Sequence, residues 1–271
     1  MPMIVGIDAS GPSRAALAWA MRRAEADSGE LVLVHVVDDE WGQVGQDFAD
    51  DEAETGARLL QDAQRTVHEY SPTLRVTPRL VHGSPAWELA AVAQPGDTIV
   101  VGTHKTGYVH GRALGTMSIV TASIASCQVV VVPESTLRGR TGVVVGIASG
   151  GGWRDAVVVG ALEAARGNQE LSLVHSAPLR DEPDAPEGQS RELLAEAAAL
   201  AVQTAPGLAV RSRISRRRPA EALLDASHNA AMLVLGPSRH SPDKAGFLGS
   251  VTHDVLLNIN TTVLVARSGN G

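Results

Sequence analysis

The sequence predicts an α/β protein made of two doubly wound domains, each with a five-stranded parallel sheet. An internal repeat is the first reason: the segment VVGTHK at 100–105 returns as VLGPSR at 234–239. Each segment is followed, at the same interval, by glycine and a hydroxyl residue, at 115–116 and 249–250. The second reason is that short apolar runs alternate with amphipathic stretches in both copies. Such alternation is typical of right-handed βαβ units that cover both faces of a parallel sheet.

Apolar runs in the first copy predict its five strands, at 3–8, 31–37, 74–81, 97–101 and 129–132. Helices are predicted between them, over 13–26, from the acidic stretch near 51 to about 70, from 85 onward, and over 116–126. Ser13 and Ser84 are the expected N-caps, and Pro85 suits the first position of a helix. The second copy repeats these elements and ends with a strand at 263–266.

The repeat is too long for a solenoid unit, so each copy is expected to be a whole domain. The stretch 134–141 is polar and contains Gly139, which indicates a linker. The domains are therefore assigned to residues 1–136 and 141–271. With 44% hydrophobic residues in 271, the chain can bury two ordinary cores.

Composition restricts the class of partner. The formal net charge of -7 and pI near 5.7 argue against general binding of nucleic acid or a membrane surface. No apolar run is long enough to span a bilayer. A single cysteine, Cys127, cannot form an internal disulfide, and no secretory signal opens the sequence. We therefore expect a cytoplasmic protein.

Three elements of the first copy predict a nucleotide site at the carboxyl edge of the sheet. Asp8 follows the first strand and can accept hydrogen bonds from ribose hydroxyls. Gly83 follows the third strand, while Gly102 and Gly115 surround the fourth and let backbone amides approach an anion. The helix that starts at Thr116 adds unpaired N–H groups and a favourable dipole.

These motifs resemble the universal stress protein family, whose signature is glycine, two residues, usually glycine, nine residues, then Gly-Ser/Thr. The resemblance extends over both copies. It implies an adenine nucleotide alpha hydrolase-like fold with strand order 3-2-1-4-5, and two domains that form a pseudo-dimer through their last strands. It also implies ATP as ligand, with Mg²⁺ as a possible companion, and a possible homodimer. Adenosine would lie near Asp8 and the backbone of Val36, Gly83 would line the floor, and the phosphates would lie at Gly102, Gly115, Thr116 and Met117.

Lys105 departs from the family pattern, because it stands where the second motif glycine belongs. If that position needs a positive φ, lysine strains it; if not, an ammonium beside the triphosphate strengthens binding. A third alternative is that Lys105 points to solvent from a degenerated loop.

The second copy departs further: Ala148 matches Asp8, and Arg217 matches Gly83. Losing the acceptor and inserting a guanidinium should abolish ordinary ATP binding, so one nucleotide site per chain is expected. The arginines at 211, 213, 216, 217 and 218 suggest a site for another anion. The alternative is that alternate arginines face water and the others fill an empty cleft.

Several chemistries find no support in the sequence. There is no Walker A motif, no His or Cys spacing typical of a metal site, and no evident Ser-His-Asp triad, so no catalytic or metal residue is assigned. His35 and His175 occupy equivalent strand positions and are expected to be hydrogen-bonded structural residues. The leading function is an ATP-binding, nucleotide-responsive module of the stress response. The rivals are a nucleotide-independent scaffold and a slow adenine-nucleotide hydrolase.

Overall fold

The computed structural model describes residues 1–27, 29–38, 46–103, 108–109, 112–113, 116–134, 139–150, 152–177, 187–237 and 248–267. For residues 46–50, 108, 109, 112, 113, 116 and 187 it describes the backbone alone. The chain divides into two compact units after Glu134.

The first unit contains seven described strands: β1 (Met3–Gly6), β2 (Glu30–Val37), β3 (Arg75–His82), β4 (Thr98–Thr103), β5 (Tyr108–Val109), β6 (Arg112–Ala113) and β7 (Gln128–Pro133). Its described helices are α1 (Gly11–Asp27), α2 (Gln46–Tyr70), α3 (Pro85–Val92) and α4 (Thr116–Ile124). Five strands form a parallel sheet in the order β3-β2-β1-β4-β7. The two-residue strands β5 and β6 form a separate antiparallel pair.

The second unit repeats this arrangement. Its strands are β8 (Val143–Ile147), β9 (Leu171–Ser176), β10 (Val210–Ser215), β11 (Met232–Leu235) and β12 (Thr262–Val265). Its described helices are α5 (Trp153–Arg166), α6 (Glu187–Thr204), α7 (Pro219–Ala226) and α8 (Ser250–Leu257). The strands are parallel in the order β10-β9-β8-β11-β12. The doubly wound α/β architecture predicted from sequence is confirmed in both units.

The strand order leaves a cleft in each unit. The chain begins at a central strand, winds outward to one edge, and then crosses back to the other side. The connection after β1 and the connection after β4 run in opposite directions, so a crevice opens between them at the carboxyl ends of these two strands. Ligands of doubly wound sheets bind in such a crevice. The same geometry places the second cleft between β8 and β11.

The core of each unit lies in its central strands. Val5, Leu33 and Ile99 are fully buried in the first sheet, and Leu173 and Leu233 in the second. These strands are apolar on both faces because helices cover both faces: α1 and α2 on one side, α3 and α4 on the other. At the outer strand β3, by contrast, Arg75, Pro78 and Arg79 are exposed.

Equivalent histidines join neighbouring strands in the two units. Nδ1 of His35 lies 2.7 Å from the Ile7 carbonyl oxygen, and Nδ1 of His175 lies 2.8 Å from that of Ile147. Because a carbonyl only accepts, Nδ1 carries the proton in both rings. The expectation that both are hydrogen-bonded structural histidines is confirmed.

Helix α1 begins earlier than the sequence predicts. Its first residue is Gly11, and the Ser13 N–H donates to Oγ of Ser10 over 3.2 Å. Ser10 is therefore the N-cap, and the prediction of Ser13 in that role is wrong. Among the helices the structure describes, no segment is both long and apolar enough to cross a membrane.

Candidate functional site

The predicted site residues that the structure describes lie at the carboxyl edge of the first sheet. Asp8 follows β1 by two residues, Val36 lies near the end of β2, and Gly83 directly follows β3. The ends of β2 and β3 are tied together, because the Gly83 N–H donates to the Val37 carbonyl over 3.0 Å. Gly102 is the penultimate residue of β4, across the cleft.

Ser13 holds the loop that carries Asp8. Its hydroxyl donates to the Gly6 carbonyl over 3.1 Å and accepts from the Asp8 N–H over 3.0 Å. The Ser10 N–H in turn donates to Oδ1 of Asp8 over 2.8 Å. The Asp8 side chain is exposed, and no hydrogen bond to its Oδ2 is made by any described residue. The loop therefore fixes a carboxylate at the edge of the cleft with one oxygen available to a ligand.

The sequence predicted Ser13 as the N-cap of α1, and its role in holding the Asp8 loop was not predicted. The available signal was the spacing of Asp8, Ser10 and Ser13, in which two hydroxyls follow an acid before an apolar helix. One of two such hydroxyls caps the helix, and the other can turn back to the preceding strand.

Gly102 is needed for packing as well as for any approach of a ligand. A Cβ at this position would overlap the Pro12 backbone at the start of α1. Gly236 of the second unit is constrained in the same way by the Gly152 backbone. In both units the glycine lets the first turn of a helix lie directly on the neighbouring strand.

Gly83 adopts a backbone conformation that other residues avoid. Its φ is +132°, and a Cβ would lie 2.8 Å from Oε1 of Glu88. Arg217, at the matching position, has no such conformation, since Asn168 is the single positive-φ non-glycine residue in the described part of the chain. The loop after β10 therefore follows a different path from the loop after β3.

The phosphate side of the predicted site is only partly described. Lys105 and Gly115 lie outside the described residues, and for Thr116 the backbone alone is described, as the first residue of α4. Met117 follows it and is half-buried. Ser118 then approaches β4, with its Oγ 3.4 Å from Oγ1 of Thr103. This pair of hydroxyls joins the first turn of α4 to the end of the strand.

The cleft of the second unit is a cavity of about 330 Å³. It lies at the ends of β8, β9 and β11, where α5, α7 and α8 begin. Arg217 does not line it, because its guanidinium pairs with the Asp225 carboxylate and its side chain is 66% exposed. The alternative in which arginines fill this cleft is therefore wrong.

The other arginines of this region face outward. Arg211 is 80% exposed and forms an ion pair with Glu170 over 2.7 Å. Arg213, Arg216 and Arg218 are exposed as well. None of the five lines the cavity, so they form no anion site within it. Within the described ranges, no group of three or more His, Cys, Asp or Glu residues is arranged to hold a metal ion.

Comparisons with known proteins show the family of the chain and agree with its fold. The model of the universal stress protein family matches residues 1–133 and again 142–267. Universal stress protein Rv2623 of Mycobacterium tuberculosis strain H37Rv is 30% identical over 287 residues, which cover 98% of this chain and 96% of the relative. A universal stress protein of Mycolicibacterium smegmatis is 27% identical over 283 residues, with the same coverage of each chain. A universal stress protein structure from Archaeoglobus fulgidus shares the fold, with a TM-score of 0.75 at 17% identity over 98% of both chains.

Proposed function

The chain belongs to the universal stress protein family, and on that premise we propose that its first unit binds ATP and acts as a nucleotide-responsive module. The observation that carries the proposal is the placement of Asp8. Ser13 fixes its backbone, its carboxylate is exposed at the end of β1, and an oxygen remains for an outside donor. A ribose hydroxyl is a donor of the required kind.

The resemblance to the family, together with position in the sequence, suggests a role for each remaining residue. The backbone of Val36 would contact the adenine. Gly83, whose φ of +132° suits glycine, would form the floor beneath it. Gly102, with the backbone N–H groups of Gly115, Thr116 and Met117, would hold the phosphates at the start of α4. A divalent ion such as Mg²⁺ would neutralise part of the phosphate charge, with ligands supplied largely by the phosphates and water.

Lys105 belongs to the proposed phosphate side by its position in the sequence. An ammonium group in that loop would add a charge-assisted hydrogen bond to a phosphate oxygen. We propose this favourable role over the strained or solvent-facing alternatives, and Lys105→Ala distinguishes them. Weaker ATP binding in the variant supports the ammonium contact, whereas unchanged or tighter binding contradicts it.

The consequence of binding is proposed to be association. ATP joins the ends of β1, β2 and β4 to the start of α4, and it can thereby change the surface offered to a protein partner or to a second copy of the chain. We place this activity in the cytoplasm. It requires no turnover, and a slow hydrolase would instead lose turnover in Asp8→Ala or Thr116→Ala protein.

The deciding experiment is mass spectrometry of the ligand released from freshly purified, undialysed protein. We expect about one ATP per chain, and loss of that ATP in Asp8→Ala. The matched control is Asp62→Ala, which removes an exposed carboxylate from α2, far along the chain from the strand ends. Absence of nucleotide, with none taken up on addition of ATP, would favour the nucleotide-independent scaffold. Two ATP per chain would overturn the single-site arrangement.

A further inference from the structure

We propose that the cavity of the second unit binds a small organic anion, with its charged oxygens against the start of α8 and its apolar body against the opposite wall. This goes beyond ATP binding in the first unit. The second cleft contains a cavity large enough for a small molecule, but Ala148 stands where the first unit has the Asp8 carboxylate. Three features of the cavity favour such a ligand: its apolar wall, the start of α8, and the hydroxyl of Thr252.

Most of the wall is apolar. Leu223 and Leu235 line the cavity beside Gly146. Each has a Cδ atom 3.1 Å from the position that a Cβ on Gly146 would occupy. Trp153, which is only 6% exposed, lines the cavity at the position where the first unit has Ser13. An aromatic ring and branched aliphatic side chains form a surface for an apolar group, and burial of that group stabilises the complex.

The start of α8 offers donors at one end of the cavity. The first backbone hydrogen bond of the helix runs from His253 to the Gly249 carbonyl over 2.9 Å. The N–H groups of Ser250, Val251 and Thr252 come before it and have no carbonyl partner within the helix. Gly249 is the N-cap and supplies no side-chain hydrogen bond. These amides and the helix dipole favour an oxyanion.

Thr252 adds an independent sign of a ligand. It is 94% buried, since its exposed fraction is 6%, and it lines the cavity. No residue in the described part of the chain forms a hydrogen bond with its hydroxyl. In the first unit the matching hydroxyl, of Ser118, lies 3.4 Å from that of Thr103. Pro237 replaces Thr103 in the second unit and has no hydroxyl to offer. A ligand oxygen in the cavity would give the Thr252 hydroxyl the partner that Thr103 gives Ser118 in the first unit.

The choice of anion follows from charge and size. No acidic side chain occurs among the described residues that line the cavity, so none of those residues repels a negative charge. Ala148 stands where the first unit has Asp8, so the acceptor for ribose hydroxyls is missing. A volume of about 330 Å³ is at the low end for small-molecule sites. A single ring carrying a phosphate or carboxylate fits these properties better than a nucleoside triphosphate does.

The test is calorimetry on the full chain with phenyl phosphate and, in parallel, benzoate. Inorganic phosphate and phenol are the half-probes that carry the charge or the ring alone. We expect phenyl phosphate or benzoate to bind once per chain, at least about tenfold more tightly than phenol, because charge-assisted hydrogen bonds are strong. Inorganic phosphate should also bind more weakly than phenyl phosphate, because it makes no contact with the apolar wall.

Two variants locate the binding. Thr252→Val keeps the side-chain shape and removes the hydroxyl, and we expect it to weaken binding by about tenfold, the value of one hydrogen bond to a charged group. Ser250→Glu places a carboxylate at the first helical position, where it favours the helix but repels the anion. The matched control is Thr66→Val, which removes an exposed hydroxyl from α2 of the first unit.

The outcomes separate this proposal from ATP binding. Asp8→Ala should abolish ATP binding and leave phenyl phosphate binding unchanged. The proposal is overturned if neither anionic probe binds more tightly than phenol, or if Thr252→Val and Ser250→Glu both bind as the unaltered protein does. It is also overturned if ATP displaces phenyl phosphate from Asp8→Ala protein at equal or lower concentration.

Discussion

Gly102 of β4 lies against Pro12 of α1 so closely that a methyl group on residue 102 would overlap the Pro12 carbonyl. The same relationship exists between Gly236 and Gly152 in the second unit. In each case the first turn of a helix is pressed onto a neighbouring strand at the edge of the cleft. The glycine therefore positions the start of the helix, α1 or α5, and the loop that precedes this helix forms one side of the cleft. This holds whether or not a ligand is bound.

Gly102→Ala should destabilise the first unit by about 1–3 kcal/mol, the usual cost of forcing an extra group into a packed site. The measurement is the midpoint of urea unfolding. Gly188→Ala in α6 is the control, because a Cβ there meets nothing within 4 Å and alanine favours a helix. Equal midpoints for Gly102→Ala and the unaltered protein would contradict the close packing.

Ser13→Ala should weaken ATP binding by roughly tenfold, because the hydrogen bonds that hold Asp8 are lost and each contributes about 1 kcal/mol. Calorimetry with ATP measures the effect. Ser10→Ala is the matched control: it removes the cap of α1 but leaves the bond between Ser13 and the Asp8 backbone. If the two variants bind ATP equally well, then Ser13 does not position Asp8.

His35→Phe and His175→Phe should each reduce the free energy of unfolding by about 1–3 kcal/mol. Phenylalanine keeps a ring but removes the Nδ1 donor, so the carbonyl of a buried isoleucine loses its partner. Thermal or urea unfolding measures the loss. A cost in one unit and none in the other would show that the two histidines are not equivalent, contrary to their matching hydrogen bonds.

Tyr70 should ionise at higher pH than an ordinary tyrosine. Its hydroxyl donates to Oε2 of Glu25 over 2.8 Å, and this bond, together with the negative charge of Glu25, raises the pKa of Tyr70 above 10.0. Because the folded-state pKa is raised, the associated stability is present below about pH 10 and is lost as pH rises through the folded value. Phenolate absorbance in Tyr108→Phe protein, where Tyr70 is the remaining tyrosine, measures the titration. Adding Glu25→Gln should lower the pKa, and an unchanged titration would contradict the hydrogen bond.

The fold was predictable because its determinants are local and are repeated. Buried parallel strands appear as apolar runs, and the repeated glycines mark where strands end and helices begin. Helix boundaries were harder to predict. Ser10 and Ser13 are both suitable N-caps by residue type, and only the hydrogen bonds in the structure distinguish them.

The second cleft could not be predicted from residue types alone. An arginine in place of Gly83 suggested a filled site, yet Arg217 reaches Asp225 on the next helix and leaves the cavity open. The direction of a long side chain depends on which partner the fold brings within reach. The unpaired hydroxyl of buried Thr252 was equally hard to predict, because it depends on Pro237 of another element, which replaces the hydroxyl that Thr103 offers to Ser118 in the first unit.

The outer strand β3 has a consequence for the behaviour of the protein in concentrated solution. An unpaired strand edge is a template for pairing with another chain, which leads to aggregation. Pro78 lies in the middle of β3 with no N–H to donate, and exposed Arg75 and Arg79 flank it with positive charge. A second copy of this edge would find no N–H donor at Pro78 and would be repelled by the positive charges of Arg75 and Arg79. This edge therefore resists pairing between the sheets of two molecules.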